Sequence, residues 1–502
     1  MRPTWGSPVL LVVLVAAAYS LTSSAEELPN GLIVNEDDSH FVAGAGPGKM
    51  TVKGLHLFVD QFVDTQVSQL FFCANNQRTV YKSKVWEAIW EGNEHRENRW
   101  YSNNLLLHNA GINPFTVWFA RCREKGISPW ISMRMNDIHH AEDIEHPWHS
   151  TFWKTHPDYW IMPGTPCELN YAIKEVRDYF WALIEEYFDM YDFDGIELDW
   201  LRASHNVPHG ESCRYLTEFM RDIRALADKW EAKRGHPIMI AARIPALPEH
   251  GKEWGIEGAE WVRQGLIDIL IPSPRSFIDF DIPMERWREL IGEVPHEYSL
   301  AAGAEMHLRV DWDMGRWRPI EDVALIRGFA AAHLHRGADQ VYLFNFTYGG
   351  NQRVSLGRHQ GDPFWDVLNQ AGRLETCVNL PRRHPITTHD MKLRKSQLHE
   401  AHTPKEFRIY LGPKPTSGEV LVRLGLAEGA DSEGSGLDVR LNGERCSRRG
   451  NLDGVKRFDP AASVIEYEAP LSSAKDGYNT VNAAAPEGER QRIVWAEIYV
   501  VP

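Results

Sequence analysis

Residues 191–200 read YDFDGIELDW, a short apolar run that carries two acids two positions apart. Side chains alternate along a strand, so Glu197 and Asp199 share one face while Ile196, Leu198 and Trp200 share the other. Such a strand needs an apolar layer on one side and a polar interior on the other. A closed barrel covered by helices provides both.

The flanking sequence fits that reading. From about residue 50 to 380, short apolar runs alternate with long amphipathic ones, the pattern of a parallel sheet covered by helices. Eight strands are expected: GLHLFVD, VSQLFFCAN, SPWISMRMN, FDGIELDW, PIMIAARIP, IDILIPSP, YSLAAGAEM and QVYLFNFT. With helical stretches such as NYAIKEVRDYFWALIEEYFDMY between them, they predict a (β/α)8 TIM barrel. Beyond about residue 385 the character changes to short alternating runs (EFRIYLG, EVLVRLGL, LDVRLNG, SVIEYEA, RIVWAEIYV) separated by Gly, Pro, Asn and Asp, which predicts a β-sandwich. The N-terminus has one Arg2, an apolar run from Pro8 to Leu21 and then small residues, the pattern of a secretory signal. The expected organisation is a signal peptide over 1–25, a barrel over 26–385 and a sandwich over 386–502, exported to a secreted or periplasmic location.

A formal charge of −15 disfavours nucleic acid or an anionic membrane surface as partner, since either needs a dense basic face. No membrane association is expected beyond the signal peptide. The six cysteines lack metal-type spacing, and free thiols and disulfides are equally compatible with them. No Gly-rich phosphate cradle or dinucleotide fingerprint is present, and no cofactor is expected.

Strand parity places the polar side chains. The lumen set is Ser132, Arg134 and Asn136 on the third strand, Glu197 and Asp199 on the fourth, Met239, Ala241 and Arg243 on the fifth, and Ser299, Ala301, Gly303 and Glu305 on the seventh. His56, Phe58 and Asp60 are expected on the first, Leu343 and Asn345 on the eighth. Polar members come late in their strands and cluster at the C-terminal mouth, where barrels carry their active sites. A lumen charge needs a partner. The expectation is that Glu197, one step deeper, bridges Arg134 and Arg243 while Asp199 stands free. Glycoside hydrolysis uses two carboxylates about 5 Å apart for retention or about 6.5–9.5 Å apart for inversion. Glu197 and Asp199 lie on one wall, so the opposing acid must come from across the lumen, and Glu305 is the best placed. The expected catalytic set is Asp199 and Glu305 with Glu197 as the third carboxylate. Substrate contacts are expected from Arg134, Asn136, Asp137, His139, Trp200, Arg202, Arg243, Asn345 and Asp60.

The run DGIELDWLR resembles the fourth-strand signature of glycosyl-hydrolase (β/α)8 barrels, especially the family 10-like group of secreted bacterial proteins, through Asp194, Gly195, Ile196, Asp199, Trp200 and Arg202. It is also similar to the α-amylase type, although Glu197 stands where that type has Arg. The family 18 chitinase run is nearly met, but Leu201 occupies the position of its proton-donating Glu. LDVRLNGE and IVWAEIYV resemble the galactose-binding-like jelly-roll modules appended to secreted glycosidases. The resemblance implies a carbohydrate substrate, and aromatic residues in the presumed mouth loops (Trp148, Trp153, Tyr159, Trp160, Trp200, Trp254, Trp312, Trp317, Tyr348) suit sugar rings. Two other readings stay open. The His- and acid-rich loop from Asn136 to His156 could serve a metal-dependent hydrolase or deacetylase, although no compact metal-ligand motif occurs there. A barrel that binds saccharide without turnover is the other.

Overall fold

The computed structural model describes residues 30–502 except 38, 95–96, 204, 306, 312–315, 320–321, 346–362, 394–404, 429–435, 453–457, 459–460, 488 and 490. The expected signal segment lies outside the described residues. Among the described residues, ten strands precede residue 350: β1 (Leu32–Glu36), β2 (Val67–Cys73), β3 (Ser128–Arg134), β4 (Gly195–Asp199), β5 (Met239–Pro245), β6 (Ile269–Ser273), β7 (Ser299–Ala304), β8 (His307–Asp311), β9 (Arg316–Pro319) and β10 (Gln340–Leu343). Eight of them close a parallel barrel in the order β1-β2-β3-β4-β5-β6-β7-β10, and β8 and β9 pair as an antiparallel hairpin. The chain therefore has the predicted (β/α)8 fold.

Seven of the eight expected strands form. The first does not: GLHLFVD is part of a helix, Val52–Asp60, and the first stave is LIVNE twenty residues earlier. The helix buries Leu55, Phe58 and Val59, a spacing of three and four, and Thr51 caps it by accepting from the Gly54 amide at 3.1 Å. Phe58 accordingly lies in the outer aromatic cluster with Phe41, Phe62, Phe72 and Trp118. At the other end of the barrel, Tyr342 rather than Leu343 enters the lumen, and Leu343 packs on the helical layer.

The lumen is filled in levels. Ser299, Gln340 and Gln69 form a neutral hydrogen-bonded chain, with links of 2.9 Å each. Next comes an apolar belt that includes Ile33, Phe71, Trp130, Ile269 and Ala301. Trp130 stacks on Phe71 with ring centroids 4.5 Å apart and lies across β4 at Gly195. A β-carbon on Gly195 would come within 2.4 Å of the indole, so the glycine that opens the decisive strand leaves the space the Trp130 ring occupies.

The C-terminal strands are β11 (Arg382–Thr387), β12 (Lys405–Tyr410), β13 (Glu419–Leu426), β14 (Asp438–Leu441), β15 (Glu444–Arg445), β16 (Ser447–Asn451), β17 (Ser463–Ala469), β18 (Tyr478–Ala484) and β19 (Ile493–Val501). They form a five-stranded sheet, β11-β19-β13-β17-β16, and a four-stranded one, β12-β18-β14-β15. Alternate residues such as Val420, Val422, Leu424, Ile465 and Ile498 fill a core between them. All six cysteines are free thiols, five of them buried. No helix among the described residues is long and apolar enough to cross a membrane.

The Trp130 contact is open to test. Gly195→Ala should destabilise the fold by about 1–3 kcal/mol, the usual range for overpacking, read as a lowered urea midpoint with an unchanged m-value.

Candidate active site

Parallel pairing sets the levels of the polar side chains. Ser132, Glu197 and Ala241 are register partners across β3, β4 and β5, and one step later so are Arg134, Asp199 and Arg243. The expected bridge of Glu197 to both arginines does not form, because each arginine finds acids at its own level. Arg243 donates from Nη1 to both Asp199 oxygens at 3.2 and 3.3 Å and from Nη2 to Glu305. Arg134 donates from Nη2 to Asp37 at 2.7 Å and from Nη1 to Asp137 at 3.0 Å. The mouth therefore holds two acid–arginine–acid triads. Asp199 is not free: it is only 1% exposed, and its Oδ1 also accepts from the Leu201 amide at 3.0 Å.

Glu197 sits below them with neutral partners. Tyr342 donates to Oε1 at 2.5 Å, Asn35 to Oε2 at 2.9 Å, and Ser132 also bonds the carboxyl. Burial, then the charge of Asp199, pushes its pKa from 4.5 up to about 7, against the pull of those hydrogen bonds and of Arg243. Glu197 thus holds a proton near neutrality. Oδ1 of Asn35 is buried without a partner, so an amide flip would give that proton an acceptor.

Asp199 and Glu305 come from opposite sides of the lumen and are separated by one guanidinium, so the expected convergence occurs. Ser273 accepts from Arg243 as well, at 3.3–3.4 Å, and the Phe344 ring lies 3.6 Å from its Cζ. Asp137 also accepts from the Nδ1 and the amide of His139, at 2.6 and 3.0 Å. Nε2 of His139 faces Nη2 of Arg202 at 3.2 Å. Asn345, in a left-handed turn at φ 49°, donates to Asp37 at 3.0 Å. Arg134, Asp137, His139, Arg202, Arg243 and Asn345 therefore join Asp199, Glu305 and Glu197 in one cluster.

Three expected contacts are corrected. Asp60 ends the outer helix Val52–Asp60 and pairs with Arg121 at 2.7 and 2.8 Å, away from the mouth. Trp200 is fully buried in the helical layer against Tyr171 and Trp261, as its strand parity with Ile196 and Leu198 requires. Asn136 clasps the chain at Leu169, donating to its carbonyl at 3.0 Å and accepting from its amide at 3.2 Å. Among the mouth aromatics, Trp153 and Trp160 are buried in their own loop, Trp148 is half-buried against His139, His140 and His146, and Trp312 and Tyr348 lie outside the described residues.

Sequence reasoning missed Asn35 and Asp37, which follow from the overlooked first stave. Burial pushes Asp37 up, but the charges of Arg134, His40, Arg202 and His139 outweigh it and hold the group at about 2. In the histidine loop, His149 points both ring nitrogens at backbone carbonyls, of Ile144 and His139. Among the described residues, no group of three His, Cys, Asp or Glu side chains is arranged to hold a metal ion.

No family model and no curated protein matches the sequence. Solved structures do. A cycloisomaltooligosaccharide glucanotransferase of Paenibacillus sp. is 9% identical over 93% of this chain, which spans 57% of that enzyme's length, with a TM-score of 0.36. The maltogenic α-amylase AmyB of Thermotoga neapolitana is 10% identical over 95% of this chain and 100% of its own, with a TM-score of 0.38. Chitinase ChiA74 of Bacillus thuringiensis is 8% identical over 94% and 98%, with a TM-score of 0.41. The last two are glycoside hydrolases by name. The barrel assignment rests on the strand pairing above.

Two outcomes follow from the site. Arg243→Met leaves two buried carboxylates without their counter-charge and should cost about 3–5 kcal/mol of stability, measured by denaturant unfolding. Because folding raises the pKa of Glu197 from 4.5 to about 7, the native state binds the extra proton between those values. Its stabilisation is full below pH 4.5 and is lost as pH rises through about 7. The difference in stability between the wild type and Glu197→Gln should change across that window and level off above it. A flat difference would show that Glu197 is ionised throughout.

Proposed function

We propose that the protein is a secreted glycoside hydrolase that cleaves O-glycosidic bonds of a poly- or oligosaccharide, with Asp199 and Glu305 as its acid pair. The observation that carries this reading is the convergence of carboxylates from the ends of β4 and β7 on the guanidinium of Arg243, at the rim where barrel enzymes place their chemistry. The likeness of DGIELDWLR to the family 10-like signature supports it, as do the secretory pattern of residues 1–25 and the sandwich after the barrel.

Hydrolysis needs one carboxyl protonated and one ionised. In the resting site the guanidinium of Arg243 is shared between the two. A sugar hydroxyl that draws the guanidinium from Glu305, the more exposed of the two, leaves that carboxyl with burial and the negative Asp199 as its surroundings. In those surroundings Glu305 is the member of the pair placed to serve as the proton donor. Asp199 keeps the Leu201 amide and Arg243, and is placed to act as nucleophile or as base toward water.

Saccharide binding without turnover is the second reading. The same ion pairs favour it, since they tie both acids to Arg243 and leave them nearly inaccessible to water.

Release of reducing ends from a panel of polysaccharides separates the two. Under the first reading, Asp199→Asn and Glu305→Gln each lower kcat by about 10²–10⁴-fold, the usual worth of general acid–base catalysis, with circular dichroism unchanged. Tight binding with no product from the wild-type protein establishes the second. Turnover lost in chelator and restored by a divalent ion would transfer the chemistry to a metal.

A further inference from the structure

Arg202, on the loop that follows β4, differs from the other arginines of the mouth. Arg134 and Arg243 each lie between two carboxylates. Arg202 is 9% exposed, yet among the described residues no carboxylate pairs with it. Its contacts are Nη2 against Nε2 of His139 at 3.2 Å and the face of Phe344 at 5.2 Å, and its Nε is buried with no partner. Nδ1 of His139 is engaged by Asp137, and an imidazole in any protonation state found in proteins offers Arg202 no counter-charge. A buried guanidinium without an anion in contact is costly, and proteins ordinarily complete it.

The surroundings specify what is missing. Asp37 and Asp137 feel the charge of Arg202, but both are committed to Arg134, with Asn345 and His139 taking further lone pairs. Each triad carries one surplus negative charge. Those surpluses hold cations at the mouth through space and leave the contact itself to a ligand. Arg275, after β6, is a second cation here: burial, then the charge of Arg202, lowers its proton affinity, against the charges of Asp137, Glu168 and Asp199. Phe344 ties this corner to the acid pair, since its ring is shared by Arg202 and Arg243.

We propose that Arg202 receives the negatively charged substituent, a carboxylate or a sulfate ester, of an acidic saccharide bound beside Asp199 and Glu305. A guanidinium matches either group through paired N–H donors, as a lysine cannot. The net charge of −15 governs the field far from the protein and opposes long-range steering of such a ligand. Recognition of one anionic group is decided locally, within a screening length of about 8 Å at physiological salt. This identification of the substrate class rests on the saccharide-binding mouth proposed above, though not on its turnover.

Calorimetric titration of the full chain tests it with four probes: an oligogalacturonate, the same oligosaccharide with its carboxyls reduced to alcohols, a sulfated galactan oligosaccharide, and its desulfated form. At least one anionic member should bind roughly tenfold or more tighter than its neutral counterpart, the worth of a charge-assisted hydrogen bond. The pair showing the difference identifies the substituent. Arg202→Gln should abolish the preference, so that charged and neutral members of the pair bind this variant equally, and Arg202→Lys should restore only part of it. Equal affinity for charged and neutral members of both pairs overturns the proposal, as does a preference that survives in a folded Arg202→Gln variant. Reducing ends released from neutral saccharides without any anion preference would sink this proposal and leave the hydrolase standing. Anion-dependent binding without release would do the reverse.

Discussion

The guanidinium of Arg243 is entirely removed from water, and the upper barrel is organised by what that requires. An isolated cation there would be untenable, so two acids from distant parts of the chain are brought to it, with the Phe344 ring against one face and Ser273 at its edge. The arrangement is also a ruler. Because one rigid, planar group touches both Asp199 and Glu305, their separation is set by chemistry rather than by the loops that follow β4 and β7. Arg134 repeats the device between Asp37 and Asp137. The mouth is thus an alternating lattice of charges whose members come from β1, β3, β4, β5 and β7 or the residues just after them.

Below that lattice, polarity falls level by level with distance from solvent. Charged triads occupy the rim, Glu197 sits one step down among Asn35, Ser132 and Tyr342, and the belt of Ile33, Phe71 and Trp130 lies beneath. Glu197 marks the boundary. It is too deep to be matched by a cation and retains a proton near neutrality, whereas on the rim the charge of Arg134 leads those that hold Asp37 at about 2. A carboxyl that changes charge near pH 7 directly below Asp199 couples the electrostatics of the rim to the barrel interior.

Much of this was legible in the sequence because a barrel strand has only two faces. Parity in SPWISMRMN, FDGIELDW, PIMIAARIP and YSLAAGAEM correctly separated Arg134, Glu197, Asp199, Arg243 and Glu305 from the outer layer. Parity says which face a side chain takes, not which neighbour it meets. Pairing depends on register, and the register sets Arg134, Asp199 and Arg243 at one height with Glu197 lower, which is why the expected Glu197 bridge failed. The first stave was lost for a different reason. LIVNE is a buried five-residue run with no alternation to reveal it, whereas GLHLFVD is short enough for a helical spacing to imitate one. That error carried Asp60 into the site and left Asn35 and Asp37 out. The Thr51 cap ahead of Val52 was the available signal. At β10, the count ran one residue out of phase, and the left-handed turn at Asn345 returned that side chain to the mouth by a route parity cannot describe.

The C-terminal sheets bear on the mouth through the same strand. Asp322 caps helix Val323–His335 by accepting from the Ala324 amide at 2.9 Å and also takes Nη1 of Arg383 on β11 at 2.8 Å. Arg383 in turn grips Glu497 on β19 with Nε and Nη2, and Arg423 on β13 reaches the same carboxylate. The helix lies so close to β11 that a β-carbon on Gly328 would meet the Arg383 carbonyl at 1.9 Å. That helix leads directly into β10, whose Tyr342 holds Glu197, and the turn after it supplies Phe344 to Arg243 and Asn345 to Asp37. A shift of the sheet against the helix would be transmitted through backbone packing rather than through flexible side chains. The charge lattice at the mouth therefore depends on a contact made by residues remote from it in sequence, and the two parts of the chain form one mechanical unit at this seam.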